Sequence, residues 1–425
     1  MNKLNFVSMS EAVSEITSGD RLWVSGAIGV SYEFLTTLEK MSSKLKDVEI
    51  ISGMILNPKQ EFMLPEYKGR IYYRSLFLGP LERAMRSLGN MELNTTHYSS
   101  MKDLFLELKP NVVALEVSPP DDEGFCSLGP IGGLGSQLMA SHAEKVILIV
   151  NENVPHCGGY RNCIHLDEAT TVTTSNLPLI AIPSEKVSDT DIQIGEIVAD
   201  IVDDGCTLQI GIGSISNAVG YALKNKKNIK IHTEMLTSSM VELIQAGAVD
   251  PTANVTCTLA MGDQNLLDYL KTADNLVIEP CYEVTDPYLV SKHDCFTSVN
   301  TCIAVDLTGQ VTAEGMGYRQ ISGTGGAYDF ARAAKMSKGG KSIIALKSAY
   351  TNKEGDLISN IMVGFPEGTP ITYLRSDVDY IATEYGVVRL MNKSYEERTE
   401  LLISIAHPDL REHLKSEAIK SGLIH

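Results

Sequence analysis

The chain has 425 residues, 44% of them hydrophobic and 21% charged, enough to bury more than one substantial core. Its formal net charge of -17 argues against a nucleic-acid-binding surface and against a polybasic membrane anchor, so an anionic ligand would need a local basic or amide-lined patch. Eight cysteines lie between Cys126 and Cys302 without a Cys-x-x-Cys pair or metal-ligand spacing, which reads as reduced thiols in a cytoplasmic protein.

Residues 1–13 are mixed polar and lack a basic segment followed by an apolar core, so no secretory leader is expected. Residues 18–29 then place a polar glycine turn, a short apolar strand and a small-residue loop before a helix-like stretch to Met41 and an apolar run at 48–51. That order is the layout of a β-α-β unit. Residues 112–117 and 146–150, nearly all apolar and rich in β-branched side chains, read as strands covered on both faces. The second run is far too short to span a bilayer. Residues 179–182 are expected to add a short strand, and 192–202 has helical periodicity. The polar stretch 184–191 between them marks the expected boundary between two domains, 1–187 and 188–425.

The first layout then returns. Residues 204–213 give a glycine turn, a strand and a small-residue loop, followed by a helix-like stretch to Leu223 and a strand at 229–231. The chain therefore reads as two related open α/β domains with largely parallel sheets. Aligned on their second strands, Thr233 and Glu234 stand where the first copy has Ser52 and Gly53. Open parallel sheets bind ligands beyond the carboxyl ends of their strands, which makes Glu234 a candidate nucleophile. The competing reading is a solvated glutamate opening a helix over 235–246. His232 could share a face with Glu234, yet no third ligand is spaced for zinc, so no metal site is expected and His232 reads as structural. Gly211 and Gly213 form only part of a dinucleotide fingerprint, so no Rossmann cofactor site is expected.

Further strands are expected at 277–279, 303–306, 342–346 and 380–383, with 395–420 mostly helical around His407 and Pro408. Between them, Ser322, Gly323, Thr324, Gly325 and Gly326 precede a helix beginning near Asp329. Their amides could face an anion or a polarised carbonyl oxygen, or the segment could be a packing turn. Lys335, Lys338 and Lys341 add positive charge downstream, or form a solvated helix end.

Residues 204–219, 231–235, 298–306, 320–330, 337–345 and 377–387, in that order, closely resemble the family I CoA-transferases. The resemblance is strongest to the branch acting on 4-hydroxybutyrate, butyrate and acetate, also labelled acetyl-CoA hydrolase/transferase. Ser118, Pro119, Pro120 and Asp121, then Gly124, Phe125 and Cys126, and Val150, Asn151, Glu152, Val154 and Pro155 extend it across the first half. The resemblance implies a CoA-transferase-like fold with the active site between the two domains. It implies Glu234 as the catalytic glutamate, with Asn300 and the amides around Gly325 and Gly326 as oxyanion donors. Gln320 would position the substrate or Glu234. Ser322, Gly323, Thr324, Ala327, Lys341, Gly211 and Gly213 would contact substrate or CoA.

The implied reaction exchanges CoA between an acyl-CoA and a short-chain carboxylic acid through a glutamyl-CoA thioester, with no cofactor beyond coenzyme A as substrate. A cytoplasmic homodimer is expected, without nucleic-acid or membrane partners. A hydrolase would use the same intermediate but admit water, whereas a non-catalytic sensor on this scaffold would not need Glu234, Asn300 and the glycine loop together. The chain departs from the family pattern after Gly326, where Ala327 and Tyr328 stand in place of a common glutamine. If position 327 faces the acyl group, that loss favours bulkier or less polar acids. Otherwise Ala327 packs behind the loop.

Overall fold

The computed structural model describes residues 6–425, so the first five residues of the 1–13 leader reading lie outside it. The chain divides into two α/β units. One comprises Met1–Ile182 with Val255–Val284, and the other Pro183–Asn254 with Thr285–His425.

The first unit is built on parallel strands in the spatial order Met91–Leu93, Ile71–Ser75, Val48–Ser52, Arg21–Val24, Val112–Val117, Lys145–Asn151 and Thr171–Ser175. Val112–Val117 is buried along its whole length, as its β-branched composition requires of a strand with both faces covered. The Tyr32–Met41 helix buries Tyr32, Phe34, Leu35 and Leu38 on one stripe, and these share a core with Leu22, Val24, Ile50 and Val112. Val255–Val284 supplies the parallel pair Val255–Ala260 and Leu276–Ile278. It joins this unit through close backbone approach. The Ile278 N–H donates to the Gly158 carbonyl at 2.9 Å, and a Cβ at position 133 would lie 2.3 Å from the Thr258 carbonyl oxygen.

In the second unit the strands Lys230–Leu236, Thr207–Ile210, Phe296–Thr301, Lys341–Ala345 and Tyr380–Thr383 run parallel, and Gly386–Arg389 closes the edge as an antiparallel hairpin. The Asp189–Ile201 helix starts at a capping box formed by Ser188 and Asp191. Val305, Ile344, Tyr373, Ile381 and Leu402 form the centre of this unit's core. The helices Tyr395–Ser404 and Pro408–Lys420 contribute to it, with the break at His407 and Pro408 where the sequence places it.

Several elements differ from the sequence reading. Residues 179–182 form no strand, because Pro178 and Pro183 bracket them and cannot donate to a ladder. The Val255–Ala260 and Phe296–Thr301 strands have no counterpart in that reading. The expected strand at 277–279 exists as Leu276–Ile278, and the two units exchange the chain after Ile182, Asn254 and Val284 rather than at one boundary. The chain first passes between units after Ile182. Residues 304–306 pair with Val311–Thr312 and Ile361–Met362 in a small sheet. Met235 and Leu236 continue a strand, and the next helix is Ser238–Gln245, so Glu234 does not open a helix.

Candidate active site

Glu234 lies on the Lys230–Leu236 strand, three residues past Ile231, which pairs with Leu208 of the neighbouring strand. Beyond that pair the carboxylate leans toward the start of the Ala327–Met336 helix. There the Gly326 N–H donates to Glu234 Oε2 at 2.6 Å. An unpaired amide at a helix N-terminus is a natural seat for an anion. Glu234 keeps some accessible surface, but its carboxyl group is packed closely by protein atoms. That burial pushes its pKa up to about 7. The Gly326 hydrogen bond pulls the other way and the nearby Asp329 charge adds to the rise.

The glycines are required by this contact. Gly325 has φ +60°, a conformation that side chains other than glycine's strain to adopt, and a Cβ at position 326 would stand 2.7 Å from Glu234 Oε2 and 2.6 Å from Thr285 Cγ2. Gly325 and Gly326 are both buried.

Asn300 sits on Phe296–Thr301 and is 6% exposed. Its amide is paired in both directions with that of Gln209 on the adjacent strand. Asn300 Nδ2 donates to Gln209 Oε1 at 2.9 Å, and Gln209 Nε2 donates to Asn300 Oδ1 at 3.1 Å. Each amide retains one further N–H. Counting on from the observed registers, Glu234, Gly211 and Asn300 fall in one row across three neighbouring strands. Two strand spacings put the backbones of Glu234 and Asn300 about 10 Å apart. The residue between them has no side chain, and a Cβ at Gly211 would meet Asn300 Oδ1 at 2.8 Å. The row thus sets an acid and an amide on either side of a glycine, with the Asn300 amide lying against that glycine.

The remaining sequence candidates divide. Gln320, Ser322, Gly323 and Thr324 lead into Gly325 as one segment, with Gln320 Nε2 donating to the Ser322 carbonyl at 2.8 Å. Gly213, φ +103°, caps the Ser214–Ala222 helix two residues beyond Gly211. Ala327 begins the Ala327–Met336 helix and packs against the second unit's core, while the hydroxyl of Tyr328 donates to Asp377 at 2.6 Å. Lys341 is not gathered at the loop. It opens its strand at the amino end, where Nζ binds Asp203 Oδ2 at 2.6 Å and the Ile201 carbonyl at 2.8 Å. Glu234 and Asn300 occupy the carboxyl ends of their strands, so Lys341 lies at the wrong end of the sheet to meet them. His232 stacks at 4.9 Å against His293, beside Phe296 and Phe330.

Two residues were missed by the sequence reading. Gln209 is the lone polar amide in the buried Thr-Leu-Gln-Ile strand, a signal that was present in the sequence. Glu314 accepts hydrogen bonds from Gln320 and Thr324, a role that no local pattern announces. In the first half, the Ser118–Asp121 motif builds turns, with Ser127 N–H donating to Ser118 Oγ and Phe125 N–H to Asp121 Oδ1. Among the described residues, no helix is long and apolar enough to cross a membrane.

Two units built on parallel sheets, one of them holding a glutamate seated on a glycine amide, are the setting for the family assignment. The chain belongs to the acetyl-CoA hydrolase/transferase family, whose N-terminal domain model matches residues 3–202 and whose C-terminal domain model matches residues 262–418. It is 34% identical over 423 residues to a 4-hydroxybutyrate coenzyme A transferase of Clostridium kluyveri, covering 98% of this chain and 97% of that one. A butyryl-CoA:acetate CoA-transferase of Anaerostipes caccae is 32% identical over 426 residues, covering 97% and 95%. The crystal structure of RipA from Yersinia pestis superposes with a TM-score of 0.91 at 31% identity, covering 99% of this chain and 98% of that one.

Proposed function

We propose that this enzyme transfers CoA between a short-chain acyl-CoA and a carboxylic acid, with Glu234 as the nucleophile. The observation that carries the reading is a buried carboxylate held 2.6 Å from a helix-terminal amide. The Glu234 carboxylate attacks the thioester carbonyl, and collapse of the tetrahedral intermediate expels CoA thiolate and leaves an acyl-glutamyl anhydride. The thiolate attacks the glutamyl carbonyl, releasing the first acid and forming a glutamyl-CoA thioester. A second carboxylate repeats these steps in reverse and departs as its CoA ester. One thioester replaces another, so coenzyme A enters only as a substrate.

Each intermediate places negative charge on an oxygen. The remaining Asn300 N–H and the amides at Gly325 and Gly326 are the donors we assign to it, a single donor of this kind being worth about 3 kcal/mol. Gln320 positions the loop that carries these amides. The ionised form of Glu234 is the nucleophile, so kcat/KM rises with pH through about 7 and then levels off. A cytoplasmic homodimer completes the proposal, its assembly to be read by light scattering.

Incubation with acetyl-CoA, followed by proteolysis and mass spectrometry, should place a CoA adduct on the peptide containing Glu234. Glu234→Ala should abolish the adduct and lower transferase turnover by at least about 10³-fold. Full turnover by that variant would refute the assignment. Release of free thiol without an acceptor acid reads hydrolysis separately.

A further inference from the structure

A second buried carboxylate stands behind the catalytic loop. Glu314 lies in the turn between the Val311–Thr312 and Gly315–Met316 strands and is 8% exposed. Its Oε2 accepts from Gln320 Nε2 at 3.2 Å and from Thr324 Oγ1 at 3.3 Å. Its Oε1 accepts from Thr372 Oγ1 at 3.1 Å, and Thr372 is itself fixed by the Ala313 N–H at 2.9 Å. The Glu314 backbone carbonyl accepts from the N–H groups of Ile321 at 2.7 Å and Ser322 at 3.0 Å. One residue therefore grips the 320–324 segment through both its main chain and its side chain.

We propose that Glu314 is a positioning residue, which fixes Thr324 and so sets the place from which the Gly326 N–H meets Glu234. The proposal rests on the nucleophile assignment made above. The segment from Ser322 to Gly326 is three-fifths glycine, and ordering glycine costs more backbone entropy than ordering any other residue. A loop of that composition needs an external anchor to hold one amide within hydrogen-bond reach of a reacting carboxylate. Glu314 suits the task chemically. A carboxyl group offers two accepting oxygens, so it can take the donors from Gln320, Thr324 and Thr372 together. An amide at position 314 would keep the shape but turn an N–H group toward one of those donors. Thr324 is two residues before Gly326, so a shift at the anchor passes directly into the hydrogen bond on Glu234.

The test compares Glu314→Gln and Thr372→Val with wild type, measuring kcat, KM for acyl-CoA, the pH profile of kcat/KM and the CoA adduct on Glu234. In Glu314→Gln, kcat should fall about 10- to 100-fold while KM stays within about threefold. The acidic limb should also move to higher pH, because the Gly326 hydrogen bond opposes the rise caused by burial. Asp329 and Tyr373, the titratable neighbours of Glu234, are unchanged in both variants. Thr372→Val should shift the limb in the same direction by less.

Asp306→Asn serves as a control for plain loss of stability. That carboxylate ties Thr308 and Gln310 in another turn of the same unit, so its variant should lower Tm without moving the limb. A Glu314→Gln limb coincident with wild type, whatever its Tm, overturns the proposal. Absence of the adduct in wild type brings down the nucleophile assignment itself and the positioning role with it. An adduct present in wild type with an unmoved Glu314→Gln limb brings down only the latter.

Discussion

The two units use the same strand positions for opposite purposes. In the first, Leu22 pairs with Ile50 and Val112, and in the second Leu208 pairs with Ile231 and Thr297. One step along the central strand, Trp23 corresponds to Gln209. Three steps along the flanking strands, Leu115 corresponds to Asn300 and Gly53 to Glu234. Where the second unit buries an amide pair and a carboxylate, the first buries an indole edge-on to Phe105 and a leucine with no exposure. At these positions the first unit packs Trp23 and Leu115 into its interior. The second unit lowers the cost of its polar groups because the Gln209 and Asn300 amides pair with each other and the Gly326 N–H donates to Glu234.

Exchanging the logic at equivalent positions should give different kinds of damage. Asn300→Ala should cost about 10²- to 10³-fold in kcat if its free N–H stabilises the oxyanion. Leu115→Ala at the matching position should instead cost about 2 to 5 kcal/mol of stability, with kcat within about threefold of wild type below its melting temperature. Steady-state kinetics beside denaturant unfolding distinguish the two, and an Asn300→Ala enzyme that is merely less stable would break the comparison.

The first unit does hold one buried acid near its strand ends. Glu116 accepts from Asn151 Nδ2 at 2.8 Å, and burial pushes its pKa up to about 7, with Glu33 adding to the rise and Asn151 and Ser175 opposing it. The folded pKa lies above the unfolded value, so the stability linked to this proton is full below about pH 4.5 and is lost as pH rises through 7. Glu116→Gln removes that dependence. Its stability relative to wild type should grow by up to about 3 kcal/mol between pH 4.5 and 8, measured by urea unfolding across that range. A flat difference would place Glu116 in a solvated setting.

The smallest effect is expected at Ala327. Because it packs against the core beside Tyr328, Ala327→Gln should change the ratio of kcat/KM for butyrate and 4-hydroxybutyrate by less than about threefold. A larger change would return this position to the acyl pocket.

Much of this architecture could be read from the sequence, because β-branched runs such as 112–117 and the repeated glycine-turn layout each carry a local signal. The Ser52–Gly53 and Thr233–Glu234 equivalence follows from that repeat, and the observed registers give the same correspondence. Phe296–Thr301 escaped because Thr297, Ser298 and Asn300 are polar yet buried, which hides a central strand from any apolar pattern. Lys341 misled because a charge in sequence does not say which end of a strand it occupies. Glu314 stayed hidden because its partners at 320, 324 and 372 are gathered only by the folded loop.

The path of the chain constrains how the protein is made. Val255–Val284 belongs with residues preceding Ile182, so the unit that starts first cannot be finished until about a hundred later residues have left the ribosome. At typical synthesis rates that delay is on the order of 5 to 20 s. During it, the surface around Gly133 and Gly158 awaits its packing partners, and the nascent chain must stay soluble with that surface uncovered. Cleavage or truncation at the apparent joint after Ile182 would therefore release an incomplete unit, and a circularly permuted gene that brings 255–284 forward would shorten the wait.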